Sequence, residues 1–348
     1  MMTEPIEAAT GPARLEAWLA ATVPGAREVQ PLPGDVSPRR YFRVVFDDGA
    51  TAILATYPPE VRATCPRFLR TTEILGAAGV RVPRVLASDC AAGWMLVEDL
   101  GPDTLGDWGR GRPWSELAGP FEHALELADR ISRLSMDGLA ELNPRLGGEL
   151  LARELAQTWD LFLVPRELVA EPTLATDLRA ALDTLCATLG AEPPVPCHRD
   201  FMVRNLMPLP GSGSVSGLGA AGLAVLDHQD LRLGPPLYDL ASLLNDTLFP
   251  LPEAEAALLR AALPAPADQV RYHRAAAQRT LKAVGTYAKF ALQGANRHLP
   301  LIAPTLARFV NHFSQVPEGE PLAARLAESW SPVLGTPGSG GSARLTLP

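Results

Sequence analysis

Two stretches decide how this sequence reads: CHRDFMVRN, Cys197–Asn205, and LAVLDHQD, Leu223–Asp230, separated by the glycine- and serine-rich run PLPGSGSVSGLGAAG. In each, an acidic residue follows an apolar, strand-like run. A polar turn after a strand would account for His198, Arg199 and Asp200 alone, but not for Asn205 and Asp227 arriving in this order. Phosphoryl transfer from a nucleotide is one chemistry that uses such a set. One carboxylate orients the acceptor hydroxyl, while an amide oxygen and a second carboxylate suit a magnesium ion, which prefers hard oxygen ligands and is held against phosphates. Asp200 is the candidate for the first role, and Asn205 and Asp227 for the second.

Composition narrows the partners. The chain has 348 residues, 47% of them hydrophobic, and a formal net charge of -8. That is enough for a sizeable core in one large domain or two lobes. The acidic balance argues against nucleic acid, which calls for a concentrated basic surface. The apolar runs are broken by charge or proline well short of the roughly 20 residues of a membrane helix, and MMTEPIEAAT lacks the layout of a signal peptide. A soluble, cytoplasmic protein with a small-molecule ligand and no obligate protein partner is expected. Cys65, Cys90, Cys186 and Cys197 are scattered without a CxxC pair, which predicts reduced, buried thiols rather than a disulfide framework or a zinc site. His123, His273, His298 and His312 show no metal-ligand spacing and read as structural or surface residues.

Along the chain, ARLEAWLAA (13–21) predicts a short helix. Strands follow, with Asp47–Gly49 (DDG) as the hairpin turn between YFRVVF and TAILAT. A helix near Pro66–Ala78 precedes two strands in VRVPRVLASD and GWMLVEDLG, ending at Leu100. From Trp114 apolar residues recur at helical spacing, and helices resume at Leu237 to about Trp330. The expected class is α+β and bilobal: residues 1–100 a small antiparallel-sheet, nucleotide-binding lobe, residues 101–330 a mainly helical catalytic and substrate-binding lobe, and 331–348 a disordered tail. Ligands favour the cleft that such a division provides. In GPPLYDLASLL, Asp239 opens an apolar helix, where a capping or dipole role is the plain reading; together with His198 it is assigned to structure.

HRDFMVRN satisfies the H-R-D-x-x-x-x-N pattern of a kinase catalytic loop. With LDHQD and GPPLYDLASLL it resembles the aminoglycoside phosphotransferase and choline kinase superfamily of the protein-kinase-like fold. DHQD in place of DFG, and no APE-type segment, favour a small-molecule acceptor. Over nearly the whole chain, through GDVSPRRYFRV, VRVPRVLASD, MLVEDLG, HRDFMVRN, LDHQDLRLGPPLYDLASLL and AAQRTLKAVGTYAKF, the sequence is similar to the N-acetylmuramate and N-acetylglucosamine anomeric kinases of bacterial cell-wall recycling. The resemblance implies ATP and magnesium as cofactors and the C1 hydroxyl of a free amino sugar as acceptor.

The sequence departs from the wider kinase pattern at one point. TAILATY carries no phosphate-binding lysine, and Glu73 does not match its usual partner. Another cation must then neutralise the triphosphate. Arg39, Arg40 and Arg43 are the candidates, beside a turn at Gly34, Asp35 and Ser37 whose amides suit phosphate oxygens; solvated arginines on a hairpin are the plainer reading. Glu98–Leu100 is the candidate adenine hinge. On the late helix, Arg271, Arg274, Gln278, Lys282 and Lys289 form one stripe at about 100 degrees per residue. A solvated basic face is the default; the sharper reading has Gln278 and Lys282 line a sugar pocket that attracts the lactyl carboxylate of N-acetylmuramate. Arg204 and Asp230 complete the candidate substrate contacts, with Asp230 on a sugar hydroxyl. The rivals are an aminoglycoside or other small-molecule hydroxyl phosphotransferase, whose polycationic substrates would prefer an acidic pocket, and a nucleotide-binding pseudokinase acting as an interaction module.

Overall fold

The computed structural model describes residues 12–33, 38–209, 222–247, 249, 251–263 and 265–334. The chain divides into two compact units, Met1–Leu105 with Leu206–Asp230, and Gly106–Asn205 with Leu231–Pro348. Among the described residues, no helix is long and apolar enough to cross a membrane.

The first unit opens with α1 (Pro12–Thr22), followed by β1 (Ala26–Pro31), β2 (Arg40–Phe46), β3 (Thr51–Thr56), α2 (Thr64–Ala77), β4 (Val85–Asp89) and β5 (Trp94–Glu98). The strands form one antiparallel sheet in the order β1-β2-β3-β5-β4. The DDG turn closes β2 onto β3 as the sequence predicts: Phe46 donates to the Ala50 carbonyl at 2.9 Å, and Gly49 takes φ +82, a conformation that costs glycine little. Side-chain alternation then assigns the faces. Phe42, Val44, Ala52, Leu54, Trp94 and Leu96 pack with Leu15 and Leu19 of α1. Ala55, Tyr57 and Met95 pack with Cys65 and Phe68 of α2. The sheet is therefore covered by one helix on each face.

Cys65 and Cys90 are joined by a disulfide, with their Cα atoms 5.6 Å apart. This overturns the expectation of a reduced chain at these two positions. The partners lie 25 residues apart, and they meet because α2 begins beside the turn between β4 and β5, a tertiary juxtaposition that spacing does not encode. Cys186 and Cys197 are free and buried, as expected. Burial pushes the Cys186 thiol up to about 12.

The second unit is mainly helical: α3 (Leu105–Gly109), α4 (Trp114–Ser132), α5 (Leu139–Leu142), α6 (Gly148–Thr158), α7 (Pro172–Ala191), α8 (Tyr238–Leu244), α9 (Pro252–Ala262), α10 (Pro266–Leu292), α11 (Ile302–Phe313), α12 (Glu320–Ser329) and α13 (Ser331–Leu334). Two short ladders carry the motifs. In the second unit β6 (Val195–Cys197) pairs with β9 (Arg232–Gly234); in the first, β7 (Leu206–Pro208) pairs with β8 (Leu223–Val225). The tail expected from residue 331 begins as the helical turn α13, and 335–348 lie outside the described residues.

Helix α10 is the axis of the second unit, packed by α6, α7, α8 and α11. It approaches α6 so closely that a Cβ on Gly285 would lie 2.8 Å from the Thr158 Cα, and Thr158 donates its hydroxyl to the Leu281 carbonyl at 2.8 Å. Burial on all sides corrects the expectation of a solvated basic stripe. Gln278, Arg279 and Thr280 are all buried, Arg274 pairs with Glu318 at 2.7 Å, and of the stripe only Arg271 and Lys289 are exposed.

A buried polar cluster lies where α9, α10 and α11 meet the end of α8. His312 Nε2 donates to Asn245 Oδ1 (2.6 Å) and its Nδ1 accepts from His273 Nδ1 (2.9 Å). Tyr272 donates to Glu255 (2.9 Å), which also faces Arg308. Burial, then the His273 and Arg308 charges, pull His312 down to about 3. A histidine whose folded pKa lies below its unfolded value near 6.5 binds its proton only on unfolding, so its stabilising contribution is complete above that value and is lost as pH falls toward 3. Burial pushes Glu255 up instead, an opposing effect nearer its own range. Wild-type unfolding free energy should therefore decline between pH 6.5 and 5 by about 1 kcal/mol per pH unit more than that of His312→Asn, measured by urea titration. Equal slopes would show that His312 is not neutral in the fold.

Candidate active site

In the second unit, β6 delivers the chain to His198, and the loop that follows is held from below by α8. Both Asp239 carboxylate oxygens accept backbone amides, from His198 at 2.7 Å and Arg199 at 2.8 Å. Phe201, Met202 and Val203 are buried anchors. Arg199 takes φ +77 and Leu237, immediately before α8, φ +64. These conformations are costly without glycine and persist only where surroundings impose them. His198 is 1% exposed, which makes it part of the loop's support.

Asp200 stands at the centre of a cation cluster. Its Oδ1 accepts from Arg279 Nη2 at 3.0 Å and from Lys282 Nζ at 3.3 Å. Its backbone carbonyl accepts Asn205 Nδ2 at 2.8 Å. Burial alone would push the Asp200 carboxyl up, but Lys282, Arg279, Arg199 and Arg204 outweigh it and hold it well below the usual carboxylate range. Burial pulls Lys282 down to about 8, with Asp200 working against that shift and Arg279 and Arg199 adding to it. Behind the cluster, Arg199 pairs with the part-buried Glu154. Gln278 corrects the expectation of a pocket-lining amide: it accepts from the Tyr238 hydroxyl at 2.7 Å and donates to the Leu151 carbonyl and to Glu154. Fully buried, it props Glu154. Arg204, in the turn Val203–Asn205, is half-buried.

In the first unit, β8 leads to Asp227, which takes φ +54. Its Oδ1 accepts from Arg39 Nη2 at 2.6 Å and from Gln229 Nε2 at 2.9 Å, and Arg39 also reaches Gln229 Oε1 at 3.3 Å. The Arg39 guanidinium lies 5.8 Å and 5.9 Å from the rings of Tyr41 and Tyr57. Burial works against its charge, Tyr41 and Asp227 outweigh it, and the guanidinium stays firmly cationic. Of the other phosphate candidates, Arg43 is committed to Asp99 at 2.6 Å, and Arg40 is exposed. Gly34 and Ser37 lie outside the described residues. Glu98 uses its backbone N–H on the Arg84 carbonyl and its carboxylate on Arg81 and Arg84, so neither is an adenine contact as it stands. Leu100 is half-buried, and Asp230 ends the turn His228–Asp230.

Arg279 and Glu154 are the residues that sequence reading missed. Arg279 lies three positions before Lys282, a spacing that places both on adjoining parts of one helical surface; that spacing was the available signal. Nothing local marks Glu154.

The arrangement supplies an ionised carboxylate beside several cations in one unit and a carboxylate paired with an arginine in the other. Asn205 spends its nitrogen on the Asp200 carbonyl, leaving the amide oxygen as the end suited to a hard cation. Among the described residues no three His, Cys, Asp or Glu side chains group to hold a metal. Each unit offers one oxygen donor of the kind magnesium takes, the Asn205 amide oxygen in the second and the Asp227 carboxylate in the first, and magnesium draws its other ligands from water and phosphate oxygens.

Residues 28–277 match the model of the phosphotransferase enzyme family. The chain is 32% identical over 329 residues to the N-acetylmuramate/N-acetylglucosamine kinase of Pseudomonas aeruginosa, covering 90% of each chain. To the kinase of the same name from Neisseria meningitidis serogroup B it is 29% identical over 342 residues, covering 90% of this chain and 95% of that one. Among solved structures, it resembles a choline kinase of Streptococcus pneumoniae (TM-score 0.58, 14% identity, 86% of this chain and 98% of the other). It also resembles the GDP complex of aminoglycoside 2'-phosphotransferase-IIIa (TM-score 0.60, 12% identity, 87% and 98%). At that identity the likeness is one of fold, and the fold is the protein-kinase-like one expected from the catalytic-loop motif.

Proposed function

Because the chain belongs to the phosphotransferase enzyme family, we propose that it is a sugar kinase that transfers the terminal phosphoryl group of ATP to the anomeric C1 hydroxyl of N-acetylmuramate and N-acetylglucosamine, in the recycling of peptidoglycan. The observation that carries the acceptor is the charge around Asp200: Arg199, Arg204, Arg279 and Lys282 against Asp200 and Glu154. Such an excess favours an acceptor bearing a carboxylate, as N-acetylmuramate does, and disfavours a polycationic aminoglycoside. The agreement with relatives of that name over nine-tenths of the chain supports the same reading.

In this mechanism Asp200 accepts the hydrogen bond of the sugar hydroxyl and aligns it for in-line attack. With Oδ1 held by Arg279 and Lys282, Oδ2 is the oxygen left to meet the substrate. A carboxylate this acidic is a weak base, so it orients the nucleophile and takes the proton late, as a loose transition state allows. Lys282 balances charge on the acceptor side. Asn205 and Asp227 are the residues that would hold magnesium, which would supply charge neutralisation at the phosphates. Arg39 would serve as the cation in place of the missing lysine. Most of the acceleration comes from positioning and charge neutralisation. An intact Asp200, Asn205 and Asp227 set argues against a pseudokinase module.

The test is transfer from ATP to N-acetylmuramate, N-acetylglucosamine, kanamycin and choline, with product position read by phosphorus NMR. The expected product is a sugar 1-phosphate from both amino sugars. Phosphate on kanamycin instead would overturn the acceptor, and transfer to none would overturn the enzyme reading.

A further inference from the structure

We propose that Thr71 and His228 are positioning residues for the carboxylate of Asp227, so that helix α2 sets the affinity for the divalent cation. The inference rests on the reading of Asp227 as a metal ligand. His228 follows Asp227 directly, and its ring is fully buried. Thr71, also fully buried, places Oγ1 2.7 Å from His228 Nδ1. Phe68, one turn earlier on α2, packs against the same ring in a tilted arrangement with centroids 4.2 Å apart. The Thr71 hydroxyl has one proton, and Oγ1 lies 2.9 Å from the Arg67 carbonyl and 3.1 Å from that of Phe68, both of which can only accept. The hydrogen bond between Oγ1 and His228 Nδ1, whichever atom donates, fixes the ring's orientation.

Asp227 needs such support. Its φ of +54 lies in the left-handed region, and the chain is held on both sides of it. On one side of Asp227, Val225 is pinned through its N–H to the Arg81 carbonyl at 2.8 Å; on the other, His228 is pinned to α2. The helix is itself anchored, with Cys65 bonded to Cys90 and Leu75 fully buried. Glu73 takes no part: it is exposed and paired with Arg70. A hydroxyl–imidazole contact thus ties the helix to the turn that presents the carboxylate. Groups that orient a metal ligand from behind typically govern metal affinity by 10- to 100-fold.

The test uses Mn2+ as the probe, with binding to the full chain in the presence of ADP followed by electron paramagnetic resonance. Thr71→Val and His228→Leu are expected to weaken Mn2+ binding by about tenfold or more. Thr71→Ser and His228→Asn, which keep the hydroxyl and a hydrogen-bonding group at the Nδ1 position, are expected to retain it, and KM for the sugar should be unchanged in all four. Should Thr71→Val fail to fold by circular dichroism, the comparison of His228→Leu with His228→Asn decides. Asp227→Asn separates the two ideas. Loss of binding in Asp227→Asn with wild-type binding in Thr71→Val and His228→Leu overturns the positioning role. Wild-type binding in Asp227→Asn overturns the metal reading itself.

Discussion

Asp200→Ala should lose sugar phosphorylation by about 10²- to 10⁴-fold in kcat, the usual range for removing a positioned acid–base group, while keeping the fold. The fold survives because the cations left behind can relieve themselves. Arg279 and Lys282 would face each other with side chains 8% and 13% exposed, a costly pairing for two fixed charges. Lys282, already pulled down to about 8, loses Asp200, the larger of the two carboxylates that raise it, and gives up its proton more readily still. Thermal unfolding and calorimetric titration with an ATP analogue check that the variant is folded and loaded; phosphorus NMR reads turnover. Activity within tenfold of wild type would remove Asp200 from the reaction.

Much of this was legible in the sequence because the informative signals are local. HRDFMVRN and LDHQD fix an order of chemical groups along a few residues, and the DDG turn fixes a hairpin. Side-chain alternation then assigns β2, β3 and β5 to two buried faces. What the sequence concealed depends on tertiary contact. The Cys65–Cys90 bond joins residues that only the packing of α2 brings together. The polar stripe of α10 has the spacing of a solvated face, yet other helices pack over its middle, so Gln278 is interior, as is Arg279 beside the stripe, and their partners, Glu154 and Asp200, come from distant segments. Periodicity reports which residues share a face and is silent on whether a second layer covers it. Choosing Arg39 over Arg40 and Arg43 likewise needed the pairings with Asp227 and Asp99.

Asp239→Ala should damage stability and turnover together, because one carboxylate holds the catalytic loop by its backbone. Asp239 is 6% exposed, and its two oxygens accept the His198 and Arg199 amides. Truncation strands both donors in the interior, at about 1–3 kcal/mol each. It also frees Arg199 from a φ of +77 that an unbranched chain would otherwise leave. As Arg199 relaxes, Asp200 turns with it, away from Arg279 and Lys282. A loss of about 2–5 kcal/mol in unfolding free energy is therefore expected, with a fall in kcat of at least about tenfold in molecules that remain folded, since misplacement of a reacting group by an ångström costs on the order of a hundredfold. Asn at this position is no rescue. Its amide nitrogen would confront a backbone N–H, two donors face to face, so Asp239→Asn should be at least as destabilised as the alanine variant. Burial already pushes the Asp239 carboxyl up, with His198 and the two amides acting in the opposite direction, so the site tolerates the charge only because both amides are aimed at it. Urea denaturation with single-turnover kinetics on the folded fraction measures the two effects separately. Wild-type turnover by a destabilised Asp239→Ala would show that the loop keeps its shape without α8 and that the aspartate serves the fold alone.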